Sequence, residues 1–224
     1  VAVSDDGRPV ATALLMRRAL EYASLFGMPV IDHCEDPSLK GEGVAHEGFQ
    51  AALLGLRGIP GEAESIMVER DVTLAAMTGG RVHVALTDEA LAGYDTNVKM
   101  NPPLRERLDR EAMLEGLADG SVDAIATDHA PHHHDEKHVE FDRAPFGIVG
   151  LETAVSLVFD QLVHRAVITP ARMVELMSVN PADILGVPGG SLGEGVPADI
   201  TLLAPDVEVT IDPARFRSRS RNTP

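Results

Sequence analysis

The sequence predicts an α/β fold of the (β/α)₈ TIM-barrel class, and three observations carry that prediction. Short apolar, β-rich stretches alternate with segments of helical apolar spacing, the pattern of βα units around a parallel sheet. Polar residues follow directly on the last apolar residue of successive strands, the edge where barrel enzymes collect their chemistry. An open doubly wound sheet would also place ligands at strand ends. However, no GxGxxG or GxxxxGK[ST] loop follows any strand, which favours the barrel.

Residues 1–3 read as a strand that stops at the polar turn Ser4-Asp5-Asp6-Gly7. Residues 10–26 carry apolar side chains at helical spacing, with Gly27 as the C-terminal cap. Residues 28–31 form a buried-type strand that runs into Asp32-His33-Cys34-Glu35-Asp36. The spacing predicts a helix over 62–78, closed by Gly79-Gly80, and then a strand over 81–85. A helix over about 104–118 precedes a strand over 123–127, which ends in Asp128-His129-Ala130-Pro131-His132. Helices over about 150–163 and 170–178 complete the barrel pattern. After Pro188-Gly189-Gly190 the helical period is lost, and 193–210 alternates β-rich stretches. The expected organisation is a partial barrel domain over 1–190 and part of a small β-sandwich appendage over 191–224.

Composition narrows the function classes. With 44% apolar and 24% charged residues in 224, the chain can bury a sizeable core. A formal charge of −16 argues against nucleic-acid or anionic-membrane partners, both of which demand a basic surface. The cluster Arg215, Arg217, Arg219 and Arg221 therefore reads as a solvated or subunit-facing segment. One cysteine, Cys34, allows no intrachain disulfide and suits a reducing compartment, the cytoplasm. No run of 18 or more apolar residues and no signal-peptide pattern is present, so no membrane span is expected.

Three strand ends offer candidate metal ligands: Asp6, His33 and Asp128. Zinc accepts imidazole nitrogen and carboxylate oxygen, and a catalytic zinc keeps one position open for water. Taken singly, each has a plainer explanation. Asp5-Asp6-Gly7 makes a turn or a helix cap, His33 a hydrogen-bonded histidine, and 128–132 a charged loop. Their recurrence at the same edge of successive βα units favours a shared site.

Longer blocks carry a family resemblance. They are Asp128-His129-Ala130-Pro131-His132, Asp135-Glu136-Lys137 and Ala144-Pro145-Phe146-Gly147-Ile148-Val149-Gly150-Leu151-Glu152-Thr153. With them stand Asp32-His33-Cys34-Glu35-Asp36, Asn101-Pro102-Pro103-Leu104-Arg105, Asn180-Pro181-Ala182 and Ser220-Arg221-Asn222-Thr223-Pro224. In their order along the chain they resemble the dihydroorotases of the larger bacterial type, within the metal-dependent amidohydrolases. The resemblance implies one or two zinc ions, with Asp6 as ligand and bridge, His33 at the second metal position, and Asp128 touching the metal. It implies that Asp128 takes a proton from the attacking water and delivers it to the departing ring nitrogen. It also implies that Asn101, His132 and the backbone of Pro145, Phe146 and Gly147 contact a small substrate, carbamoyl aspartate or dihydroorotate. A homodimer and an association with aspartate transcarbamoylase are further implications. Hydantoinases and allantoinases are the nearest competitors, but they usually bridge their metals with a carboxylated lysine where Asp6 stands here.

The sequence also departs from that family. Its first barrel strands, including a His-x-His-x-Arg motif, have no counterpart, so about strands 4, 5, 6 and 8 are expected in this chain. Between Ala85 and Leu86 roughly 30 residues, one αβ unit with a further histidine ligand, are missing from the family pattern. His83 does not replace that ligand; a structural role is expected for it. Two readings follow. Either these residues are portions of a full enzyme joined across gaps, or the chain is a truncated, non-catalytic homologue serving as a scaffold.

Overall fold

The computed structural model describes residues 2–5, 7–78 and 88–224. The chain forms two compact units, Val1–Gly93 with Asn101–Asp109, and Tyr94–Met100 with Arg110–Pro224.

The first unit begins with a parallel pair, β1 (Val3–Ser4) and β2 (Val30–Ile31), in register Val3 to Val30 and Ser4 to Ile31. Between them runs α1 (Ala13–Ser24), started by Thr12, whose hydroxyl accepts the Leu15 N–H at 3.2 Å. Gly27, at φ +61°, turns the chain back toward β2 in a conformation that a side chain would strain. Met16, Leu20 and Ala23 lie on one face of α1 at helical spacing and pack with Val30 and Leu74. Leu74 belongs to α4 (Glu62–Thr78), which occupies the span that the apolar period predicts.

Between β2 and α4 the fold adds elements beyond the expected ones. Asp36 caps α2 (Pro37–Lys40) by accepting the N–H groups of Ser38 and Leu39. A second parallel pair, β3 (Ala45–His46) and β4 (Gly58–Ile59), encloses α3 (Phe49–Leu54). Gly58 permits that pairing, since a Cβ there would lie 2.7 Å from the Glu47 Cβ.

The second unit is mainly helical. It holds α5 (Arg107–Asp119) from Arg110 onward, α6 (His134–Lys137) and α7 (Ala154–Val158), which passes into a π-helical turn at Phe159–Val163. Then α8 (Pro170–Val174), a second π turn (Glu175–Val179) and α9 (Asn180–Leu185) follow without a break. Leu117, Val158, Leu162, Ile168, Met173 and Leu176 form its core.

Several expectations are corrected. Residues 123–127 form no strand; nearby, His129 makes an isolated parallel bridge to Ile148. The backbone here finds other partners: Ile125 N–H donates to the Leu176 carbonyl, while Arg172 and Asn180 donate to the carbonyls of Val122 and Asp123. Residues 193–210 also form no strand; they are exposed throughout and pair with no strand among the described residues. The helix expected over 104–118 starts at Arg107, and the one expected over 150–163 starts at Ala154. The helix expected to end near 178 continues to Leu185, because Pro181 stands in the first turn of α9, where its missing N–H costs nothing. The strand expected over 81–85, with His83, lies outside the described residues. No described helix is long and apolar enough to cross a membrane.

Candidate active site

The first unit gathers its polar groups at the end of β2. Asp5 grips the turn: its carboxylate accepts the Val10 N–H at 2.7 Å and the His33 N–H at 2.8 Å. Asp6 lies outside the described residues. Behind this turn Asp32, Cys34 and Asp71 converge, with the Cys34 thiol 3.6 Å from Asp32 and 3.5 Å from Asp71. Their ligand atoms lie within 4.8 Å of one another, a group that could hold a metal ion and that the sequence reading missed. Arg70 faces it, 2.6 Å from Asp71 and 3.5 Å from Asp32. The guanidinium charge goes mainly to the nearer Asp71. Burial and the acid neighbours Asp5 and Asp71 push the Asp32 carboxyl up to about 8. Burial, with the same acids close by, also pushes the Cys34 thiol up, which opposes thiolate ligation. With the proton on Asp32 and Arg70 beside Asp71, this group balances its charge internally.

The other face of the strand end holds His33, Glu35 and Asn101. The Asn101 amide nitrogen lies 2.8 Å from His33 Nε2 and donates to Glu35 Oε2 at 2.9 Å. Glu35 Oε2 also receives the Lys40 ammonium at 2.5 Å and stands 3.5 Å from His33 Nε2. Burial raises the Glu35 carboxyl, but the neighbouring His33, Lys40 and Asn101 together hold it below its ordinary value. Two buried oxygens, Glu35 Oε1 and Asn101 Oδ1, have no hydrogen-bond partner among the described residues. A narrow crevice opens beside them, lined by Glu35, Pro60, Gly61, Glu64, Pro102 and Arg105. Arg105 donates to Glu64 at 2.8 Å there, and burial nevertheless raises the Glu64 carboxyl.

In the second unit Asp128 is exposed and holds φ +43°, a left-handed conformation costly for a residue with a side chain. His129 is a structural residue: its Nδ1 accepts the N–H groups of Gly150 and Leu151 at 3.1 and 3.3 Å. His132 and Pro145–Gly147 form one knot. His132 Nε2 lies 2.8 Å from the Phe146 carbonyl, an acceptor, so that nitrogen carries the hydrogen. Lys137 donates to the Pro145 carbonyl at 2.7 Å, and Gly147 N–H to the Lys99 carbonyl at 2.8 Å. Asn222 donates to the carbonyls of Ala130 and Gly147, both at 2.9 Å, and accepts the His132 N–H at 3.2 Å. Gly147 is required, since at φ +132° a Cβ would meet the Ala130 Cβ at 2.6 Å. Of the expected site residues, the structure thus brings His33 and Asn101 together in one unit. In the other it brings together His132, Pro145, Phe146 and Gly147, with Lys99, Lys137 and Asn222 as supports whose roles the sequence did not disclose.

The profile of the amidohydrolase family matches residues 1–222. The chain belongs to the amidohydrolase family. A protein named dihydroorotase from Pelotomaculum thermopropionicum is 52% identical to this amidohydrolase over 255 residues, 100% of this chain and 60% of the relative. One of the same name from Anaeromyxobacter dehalogenans is 49% identical over 257 residues, with 100% and 59% covered. The amidohydrolase therefore spans about three-fifths of the length of these curated relatives. The first alignment runs about 30 positions beyond the chain's own 224 residues, the size of the αβ unit expected to be missing between Ala85 and Leu86. That junction lies outside the described residues. Among solved structures, L-hydantoinase (dihydropyrimidinase) from Arthrobacter aurescens matches with a TM-score of 0.75 and 21% identity, covering 99% of this chain and 59% of that one. At that identity the likeness shows the fold alone. It agrees with the expectation of an amidohydrolase TIM-barrel fold.

Amidohydrolases are generally metal-dependent, and the residues at the end of β2 can be tested against that need. His33 fits: its Nε2 is enclosed by Asn101 and Glu35, which leaves Nδ1 as the nitrogen that could take a metal. A buried carboxylate beside a ligating histidine is the usual support of such a ligand.

Proposed function

We propose that the protein carrying this chain is a dihydroorotase, catalysing the zinc-dependent, reversible cyclisation of N-carbamoyl-L-aspartate to L-dihydroorotate in pyrimidine biosynthesis. The observation that carries this reading is 52% identity along the whole chain to a protein named dihydroorotase, against a likeness to hydantoinase at 21%. Asp6, His33 and Asp128 would hold one or two zinc ions, which supply an activated water and polarise the ring carbonyl. Asp128 takes the proton from the water and returns it to the departing ring nitrogen; in the synthetic direction the same transfers reverse. Asn101 Oδ1, buried and without a hydrogen-bond partner among the described residues, would accept a ring N–H. His132 and the backbone of Pro145, Phe146 and Gly147 complete the substrate contacts. In this reading residues 1–190 are part of the barrel domain and 191–224 part of the appendage. The enzyme acts in the cytoplasm as a homodimer able to associate with aspartate transcarbamoylase.

The test is dihydroorotate hydrolysis by the full-length protein, before and after removal of zinc with a chelator. Turnover lost with the metal and restored by zinc is the expected result, and Asp128→Asn should lower kcat by about 10²- to 10⁴-fold. A zinc-loaded, folded protein that leaves dihydroorotate and carbamoyl aspartate unchanged overturns the reading. It would favour the scaffold role instead.

A further inference from the structure

We propose that Glu35 is a positioning residue that selects the ligating nitrogen of His33, so that metal binding at His33 releases Asn101 to pair with a cyclic amide. The inference rests on His33 being a metal ligand, as in the function proposed above.

The argument is an account of hydrogens. An amide nitrogen donates and cannot accept, and a carboxylate only accepts. Glu35 Oε2, 2.9 Å away, therefore requires the Asn101 nitrogen and not its oxygen on that side. The second hydrogen of that nitrogen points to His33 Nε2 at 2.8 Å, which satisfies both atoms only if Nε2 carries a lone pair. The neutral ring then bears its hydrogen on Nδ1, the nitrogen that a metal needs bare.

Metal binding at Nδ1 thus requires the ring hydrogen to move to Nε2, with the ring neutral before and after. In that tautomer Nε2–H and the Asn101 N–H face each other as two donors at 2.8 Å, which is repulsive. Glu35 Oε2, 3.5 Å from Nε2, is the acceptor waiting for the new hydrogen, and Lys40 keeps that carboxylate in place. Asn101 consequently loses one partner and gains a free N–H. Its Oδ1 is already buried with no partner, so the amide then offers an open donor beside an open acceptor. That edge is complementary to the adjacent N–H and C=O of a cyclic amide or ureide. The metal-free protein would hold the edge closed, and the metal-loaded protein would open it.

The decisive measurement is nitrogen-15 NMR of histidine-labelled full-length protein, with His33 assigned by comparison with His33→Gln. The hydrogen of His33 should lie on Nδ1 without metal and on Nε2 with zinc. Zinc affinity, read by competition with a chromophoric chelator, should fall about 10- to 100-fold in Glu35→Gln. Zinc bound through Nε2, or an unchanged tautomer, overturns the inference. So does an unaltered zinc affinity in a folded Glu35→Gln protein. If that variant does not fold, the wild-type tautomers decide alone. Turnover of dihydroorotate without the tautomer exchange would sink this inference only. The exchange without turnover would sink the proposed function only.

Discussion

Lys137 shows how one side chain can organise a loop at a measurable electrostatic cost. Its ammonium is buried and donates to the carbonyls of Thr96, Lys99 and Pro145. Burial, with the Lys99 charge as the second cause, lowers its pKa from 10.5 to about 8. Below about pH 8 both folded and unfolded chains carry that proton, and the folded state bears the full cost of burying the charge. Between about 8 and 10.5 the unfolded chain holds more protons, so folding stability should rise with pH across that window. Urea unfolding at stepped pH should show the rise in the wild-type chain and a flatter profile in Lys137→Met. Glu35 teaches a related lesson about sequence reading. It stands inside a quoted motif, yet its role depends on Asn101, 66 residues away, and no local spacing discloses that pairing.

Elements were legible where one local period dominates. Apolar spacing discloses α1, trimmed to Ala13–Ser24, and the helix Glu62–Thr78 occupies the span expected before Gly79-Gly80. Residues 123–127 have the composition of a strand, but a strand exists only through its neighbours. Here the backbone bonds instead to Leu176, Arg172 and Asn180. The pair β3 and β4 escaped notice because two-residue strands leave no pattern to read. Among the candidate site residues, the grouping of His132 with Pro145–Gly147 matches the family motif, while its fastening by Asn222 comes from the far end of the chain. Asn222 is 3% exposed, and Asn222→Ala would leave the Ala130 and Gly147 carbonyls without that donor. We expect a loss of about 1–3 kcal/mol, seen as a lower urea midpoint at unchanged m value.

For the molecule as a whole, the contrast between packed and uncovered regions is the main feature. Residues 191–212 are exposed throughout and include Leu192, Ile200, Leu202, Val207 and Val209, apolar side chains suited to a sheet. Downstream the chain is tied again, with Glu152 accepting the N–H groups of Arg217 and Ser218 while Arg215, Arg217, Arg219 and Arg221 face outward. Limited proteolysis of the 224-residue chain should therefore cut first within 191–212. Mass spectrometry of the early fragments checks this; a first cut inside α8 or α9 would contradict it. The single thiol has a different practical bearing. Cys34 is 4% exposed, and burial, with its acid neighbours, keeps it from ionising. Maleimide and iodoacetamide should pass it by at neutral pH, so a cysteine introduced on the surface could carry a fluorophore or spin label with the native residue left in place.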